Sequence, residues 1–216
     1  MDAVIASLPE YWDGFLRTLY LSVISGIIAL IVGTLLAAMR VSPVAALRGF
    51  SMFYVEVARN TPLTIIFFFA AIVLPRLGVK FEQFEVAAII ALSSYTAAFI
   101  AEAVRSGVNS VPVGQAEAAR SIGMTFTQVL GFIVLPQAVR TVIPPLINIL
   151  IALVKNSSVA GAFFVLELFG YGRKLSNDYG DQVLWILLGV AFFYLLITVP
   201  LGLLAHFVER KVAIAR

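Results

Sequence analysis

The residues able to do chemistry in this chain are few, and most interrupt or border long apolar runs. Lys155-Asn156-Ser157-Ser158 breaks one such run. If that helix starts near Val142, Lys155 lies about 20 Å along it, at ~1.5 Å per residue. An ammonium that deep costs on the order of several kcal/mol unless it meets a wet cavity or an anion. It could capture a substrate carboxylate, with Asn156, Ser157 and Ser158 adding neutral hydrogen bonds. It could equally form a structural ion pair with Glu102, Glu56 or Glu167. Glu56-Arg59 and Glu102-Arg105 are each spaced i,i+3, which brings side chains to one helix face; they read either as an inner gate or as anchors of helix ends. Tyr95 and Thr96, in the hydroxyl patch Ser93 to Thr96, could line a path or simply pack helices together. His206 stands alone, without the ligand spacing of a metal site. The chain has neither the glycine-rich P-loop pattern for ATP nor an arrangement of Ser, His and Asp for hydrolysis. No catalytic residue and no cofactor is expected.

The elements that must hold these residues are membrane spans. The 216 residues are 61% hydrophobic and 12% charged, with mean hydropathy +1.01, whereas a soluble domain carries about 25% charged residues. Lipid is the solvent, and a single all-α membrane domain is expected over 1–216. A formal charge of +3, scattered along the chain, gives no reason to expect nucleic acid. Without cysteine there is no disulfide and no thiolate chemistry. Asp2, Glu10 and Asp13 precede the first apolar run, the wrong flank for a cleaved signal peptide. Apolar length predicts five transmembrane helices, at about 16–39, 50–75, 86–105, 142–166 and 183–208. Pro62 should bend the second, and Pro144-Pro145 should fall in the first turn of the fourth. Arg76 to Glu85 and Gly170 to Asp181 read as polar connections.

Between the third and fourth spans lies Gly114 to Arg140, GQAEAARSIGMTFTQVLGFIVLPQAVR, within a loop at about 106–140. Glu117 to Ile122 reads as a short amphipathic helix. Gly123, able to take positive φ, makes the corner. Thr125 to Val134 reads as a second helix running up to Pro136. Ala118 and Ala119 have no bulk and would let a partner approach the backbone, while Glu117 offers charge. Glu-Ala-Ala, three residues, Gly, nine residues, then Ile-Val-Leu-Pro resembles the EAA loop of ATP-binding-cassette importer permeases, in which a short cytosolic helix docks on the ATPase. YVEVARNTPL (Tyr54 to Leu63), FIAEAVRSGVNSVPVGQAEAARSIGM (Phe99 to Met124) and LPQAVRTVIPPLINILIALVKNSS (Leu135 to Ser158) are similar to signatures of polar amino-acid importer permeases. RVSP, RNTPLT, RSGVNSV and VKNSS look most like the glutamate-importing branch.

The resemblance implies a type I importer permease fold in a bacterial cell membrane. It also implies a second permease subunit (the same chain or a paralogue), two ATPase subunits and an extracytoplasmic amino-acid-binding protein. Glu117, Ala118, Ala119 and Gly123 would couple to the ATPase. Many relatives carry an acid where this chain has Asn156, and its loss removes a partner for a cationic substrate and favours glutamate or another acidic or neutral amino acid. With the loop cytosolic and the N-terminus outside, Arg40, Arg48, Arg105, Arg120, Arg140, Arg210, Lys211 and Arg216 lie inside. Arg17, Arg76, Lys80, Arg173 and Lys174 lie outside, a distribution the positive-inside rule favours. The alternative is a secondary amino-acid transporter driven by an ion gradient, which would call for intramembrane acids and often for inverted repeats.

Overall fold

The computed structural model describes residues 2–213; Arg216, counted above among the inner cations, lies outside them. Among the described residues every regular element is helical: α1 (Asp2–Ala6), α2 (Leu8–Val41), α3 (Ala45–Asn60), α4 (Leu63–Arg76), α5 (Phe84–Asn109), α6 (Val113–Ser121), α7 (Phe126–Ala162, with a turn at Ser157), α8 (Leu168–Asp178) and α9 (Val183–Ala213). Four of them, α2, α5, α7 and α9, are long and apolar enough to cross a membrane. The pair α3 and α4, bent by 105°, makes a fifth span if taken as one. The bend falls at Thr61-Pro62, as the sequence predicts. Proline offers no N–H to carry the helix on, and polar side chains fold back onto the last turn before it. Thr61 Oγ1 donates to Val57 O at 2.7 Å and Asn60 Nδ2 to Glu56 O at 2.8 Å.

Two other prolines have the opposite effect, because the chain widens just before them. Ile72-Val73-Leu74-Pro75 and Ile133-Val134-Leu135-Pro136 are the same tetrapeptide, and each closes a π-helical turn, Phe69–Val73 and Val129–Val134. A proline ring crowds the carbonyl four residues earlier; the i→i+5 register of a π turn relieves that conflict within one turn. The helix therefore runs through Pro136, which corrects the reading of Thr125 to Val134 as a separate helix ending there. Because α7 starts at Phe126, Pro144 and Pro145 fall in its interior rather than in a first turn. The far end is corrected too: residues 163–166, read as the close of the fourth span, are not helical. Phe164 there adopts φ +65°, and the polar stretch after it forms α8.

α2 and α5 form the centre. They run parallel, since Arg17 near the start of α2 meets Glu85 in the first turn of α5, and Arg40 in the last turn of α2 meets Glu102. Lipid tails provide no hydrophobic drive between helices, so close packing must supply the attraction. The buried face of α2 is accordingly small: Gly14, Thr18, Ser22, Ser25, Gly26, Ala29, Gly33 and Ala37, with Tyr11, Leu21 and Leu36. A Cβ added at Gly33 would sit 2.7 Å from Ala97 O and from the Ile100 side chain. The larger side chains Val23, Ile27, Ile31 and Leu35 face outward. α7 lies antiparallel to α5, and Gly107 permits their approach: a Cβ there would stand 2.0 Å from Val142 Cγ2.

Candidate functional site: a mid-span cavity, a charge cluster and a loop corner

The residues singled out by sequence sort into three places. Halfway between the charged ends of α5, Tyr95, Thr96 and Phe99 join Ile149, Ala152 and Asn156 of α7 around a cavity of about 110 Å³. That is the space of a few waters at ~30 Å³ each. Its polar equipment is one hydroxyl from each of Tyr95 and Thr96 and the amide of Asn156, none of them charged. Lys155 is exposed on the neighbouring face, in the last turn before the helix breaks. Among the described residues it has no ion pair, because each acid weighed as its partner is engaged elsewhere. Ser157 is fully buried and donates to Val154 O at 2.7 Å; Ser158 donates to Lys155 O at 2.7 Å. Neither lines the cavity: both hydroxyls turn back on the carbonyls of their own helix.

At the loop end of the spans, four sequence-flagged charges do converge, but only one of the two pairs that spacing suggests forms. Glu102 and Arg105 meet directly as i,i+3 partners. Glu56 and Arg59 do not meet. Glu56 lies 3.8 Å from Arg40, and Arg59 lies 3.7 Å from Glu102, with its guanidinium 5.7 Å above the Phe99 ring. Arg40, which the sequence places only among the inner cations, joins the cluster 2.8 Å from Glu102 and 3.8 Å from Glu56. One carboxylate thus answers three guanidiniums. The missed signal was position, since Arg40 is the first charge after the uncharged run of α2.

The loop corner is specified by its own residues. α6 ends in a Schellman closure, with Met124 N bonded to Ala119 O at 3.2 Å and Gly123 N to Arg120 O at 3.0 Å. Gly123 takes φ +89°, the left-handed position this closure needs. α7 then opens on a capping box between Thr125 and Gln128, a Thr-x-x-Gln pattern visible in the sequence. Glu117 and Ala118 point outward, but Ala119 is buried against its own loop. That corrects the expectation that both alanines face a partner. The same short stretch exposes large apolar side chains, Ile122 80% and Phe126 75% exposed, and Val113 as well.

Glu167 is a buried acid whose role spacing did not reveal. It caps the start of α8, accepting from Gly170 N at 2.8 Å and Phe169 N at 3.0 Å, and it also accepts from Tyr194 OH at 2.6 Å and Thr18 Oγ1 at 3.5 Å. Burial raises its pKa above the ordinary glutamate value, and these hydrogen bonds oppose the rise. Its work is to pin the corner after the Lys155 break to α2 and α9. His206 is exposed on α9, and no cluster of potential metal ligands occurs among the described residues.

Apolar helices around small-residue contacts, a span broken at a proline, and an amphipathic corner outside the spans define a multi-pass transport permease. The chain belongs to the family of binding-protein-dependent transport system inner membrane components, whose model matches residues 11–214. It is 42% identical to the probable glutamine ABC transporter permease protein GlnM of Bacillus subtilis (strain 168), across 93% of this chain and 92% of that one. To the glutamate transport system permease protein GluC of Corynebacterium efficiens it is 37% identical, across 97% and 95%. The crystal structure of an amino acid ABC transporter with histidines superposes with a TM-score of 0.90 at 26% identity, covering 96% of each chain. The chain is therefore the permease subunit of an ABC importer with the type I fold. It is not an enzyme, and ATP hydrolysis falls to a separate ATPase subunit. A gradient-driven secondary transporter is not favoured.

Proposed function

We propose that this permease carries glutamate, glutamine or a closely related polar amino acid inward by alternating access, with Lys155 receiving the substrate carboxylate. The observation that supports this reading is an exposed lysine with no ion pair among the described residues, next in the chain to Asn156, which lines an uncharged, hydrogen-bonding cavity. An amino acid brings the carboxylate that the lysine lacks, and Tyr95, Thr96 and Asn156 can bond its neutral atoms. The relatives named for glutamine and glutamate fit a site with an amide at position 156. A second permease subunit, the same chain or a paralogue, would close the exposed side of Lys155. Two ATPases and an external binding protein complete the transporter.

In this reading α6 lies in the cytosol and the start of α2 outside. Exposed Val113, Ile122 and Phe126, together with Glu117, Ala118 and Ala119, seat the ATPase, with Gly123 holding the corner. Glu56, Arg59, Glu102 and Arg105 close the inner end of the path until the ATPases move. Proteoliposomes carrying the assembled transporter, offered labelled glutamate, glutamine, arginine and leucine, test the substrate class. Uptake of the first two should exceed that of arginine; preferred uptake of arginine would overturn the assignment.

A further inference from the structure

The charged residues at the two ends of the spans are arranged alike. At the outer end of the proposed orientation, Arg17 of α2 bonds Glu85 of α5 at 2.8 Å; at the inner end, Arg40 of α2 bonds Glu102 of α5 at 2.8 Å. Both cations belong to α2 and both anions to α5, and the two helices are parallel. Between the clamps the interface has no slack, because Gly33 lies against Ala97 and Ile100. A slide by one residue, ~1.5 Å, would break both hydrogen bonds and force a backbone clash. The outer clamp reaches further: Arg17 Nε bonds Asp13 at 3.1 Å, and Asp13 accepts from Tyr171 of α8.

α3 is held differently. Its ionic contacts with the pair are Arg40–Glu56 at 3.8 Å and Arg59–Glu102 at 3.7 Å, both beyond hydrogen-bond length. The Glu56 and Arg59 side chains are 55% and 38% exposed, against 12% for Arg40. Two neutral hydrogen bonds, Ser51 Oγ to Leu36 O and Tyr54 OH to Ser94 O, add to its attachment, and Val55 and Ala58 pack into the core shared with Leu36, Ala97 and Ala101. We propose that Arg17 and Arg40 are positioning residues that clamp α5 to α2 at both ends, so that the two helices move as one body and α3 is the element that departs from it. The inference rests on the inner-gate reading above, and it adds which side of that gate is fixed.

The chain has no cysteine, so paired cysteines can be introduced into the natural sequence. Arg17→Cys with Glu85→Cys, assembled with its partner subunits in proteoliposomes, should lose uptake by about fivefold, the upper scale for a partly exposed ion pair. Joining the two thiols with a short bifunctional reagent should restore uptake, because the link replaces the clamp. The reversed pair Arg17→Glu with Glu85→Arg should fold and transport within about twofold of the natural chain. Loss of uptake on cross-linking, no recovery, or no deficit before cross-linking would each overturn the clamp. Joining Arg59→Cys to Phe99→Cys, whose side chains meet with the guanidinium 5.7 Å above the ring, keeps Arg17, Glu85, Arg40 and Glu102 in place and should stop uptake. Undiminished uptake there would remove the inner gate, whereas the Arg17–Glu85 pair tests the clamp by itself, so the two readings fail separately.

Discussion

Two ionisable residues beside the α7 break are handled in opposite ways. Lys155 has no ion pair among the described residues, and the proposal gives it the substrate. Lys155→Met keeps the length and removes the ammonium; uptake should fall more than tenfold while membrane insertion and ATPase assembly persist. Lys155→Arg should keep part of the activity, since the charge survives with altered geometry. Normal transport by the methionine variant would place the carboxylate site elsewhere. Glu167, by contrast, is surrounded by donors from Phe169, Gly170, Tyr194 and Thr18. In Glu167→Gln the amide NH₂ must face some of those donors, a loss of about 1–3 kcal/mol. A lower thermal unfolding temperature in detergent checks this, and an unchanged one would show that α8 does not depend on the carboxylate.

Helices and corners follow local rules that can be tested one element at a time. The α6 corner needs a residue at φ +89°, and a Cβ added at Gly123 would meet nothing within 4 Å. Gly123→Val therefore strains only the backbone, by roughly 1–2 kcal/mol, without a clash. The protein should still insert, but α6 should lose its fixed angle and substrate-stimulated ATP hydrolysis should fall severalfold. Glu117→Lys leaves the corner intact and reverses the exposed charge, so it should weaken ATPase association instead. Co-purification separates the two effects, and wild-type stimulated hydrolysis in both variants would remove the coupling role. The twin Ile-Val-Leu-Pro segments show the same local control, since each ends a π turn two residues before its proline.

The whole molecule decides how the charges are shared. Glu102 answers Arg40, Arg59 and Arg105 together, so Glu102→Gln leaves three guanidiniums repelling one another where α2, α3 and α5 converge. In the assembled transporter this should favour the inward-open state and raise basal ATPase activity by about two- to tenfold. A double-mutant cycle refines the expectation: coupling should be strong for Arg40–Glu102 and weak for Arg59–Glu102, following their distances. Equal couplings, or none, would reduce the cluster to helix-end anchoring.

Much of this protein could be read before any coordinates. Apolar length set out the spans, Pro62 marked the break in the second, and the spacing from Glu117 to Pro136 marked the corner and the family, because each signal acts over a turn or two of helix. The Thr125–Gln128 capping box was equally local and could have been found. Tertiary structure alone decided the rest. It brought Arg40 into the charge cluster around Glu102, separated Glu56 from Arg59, turned Ala119 inward and buried Glu167 as a cap. Spacing along one helix tells which residues share a face. It cannot tell which neighbouring helix that face meets, and in lipid, where burial no longer distinguishes apolar faces, close contacts between small residues settle that choice.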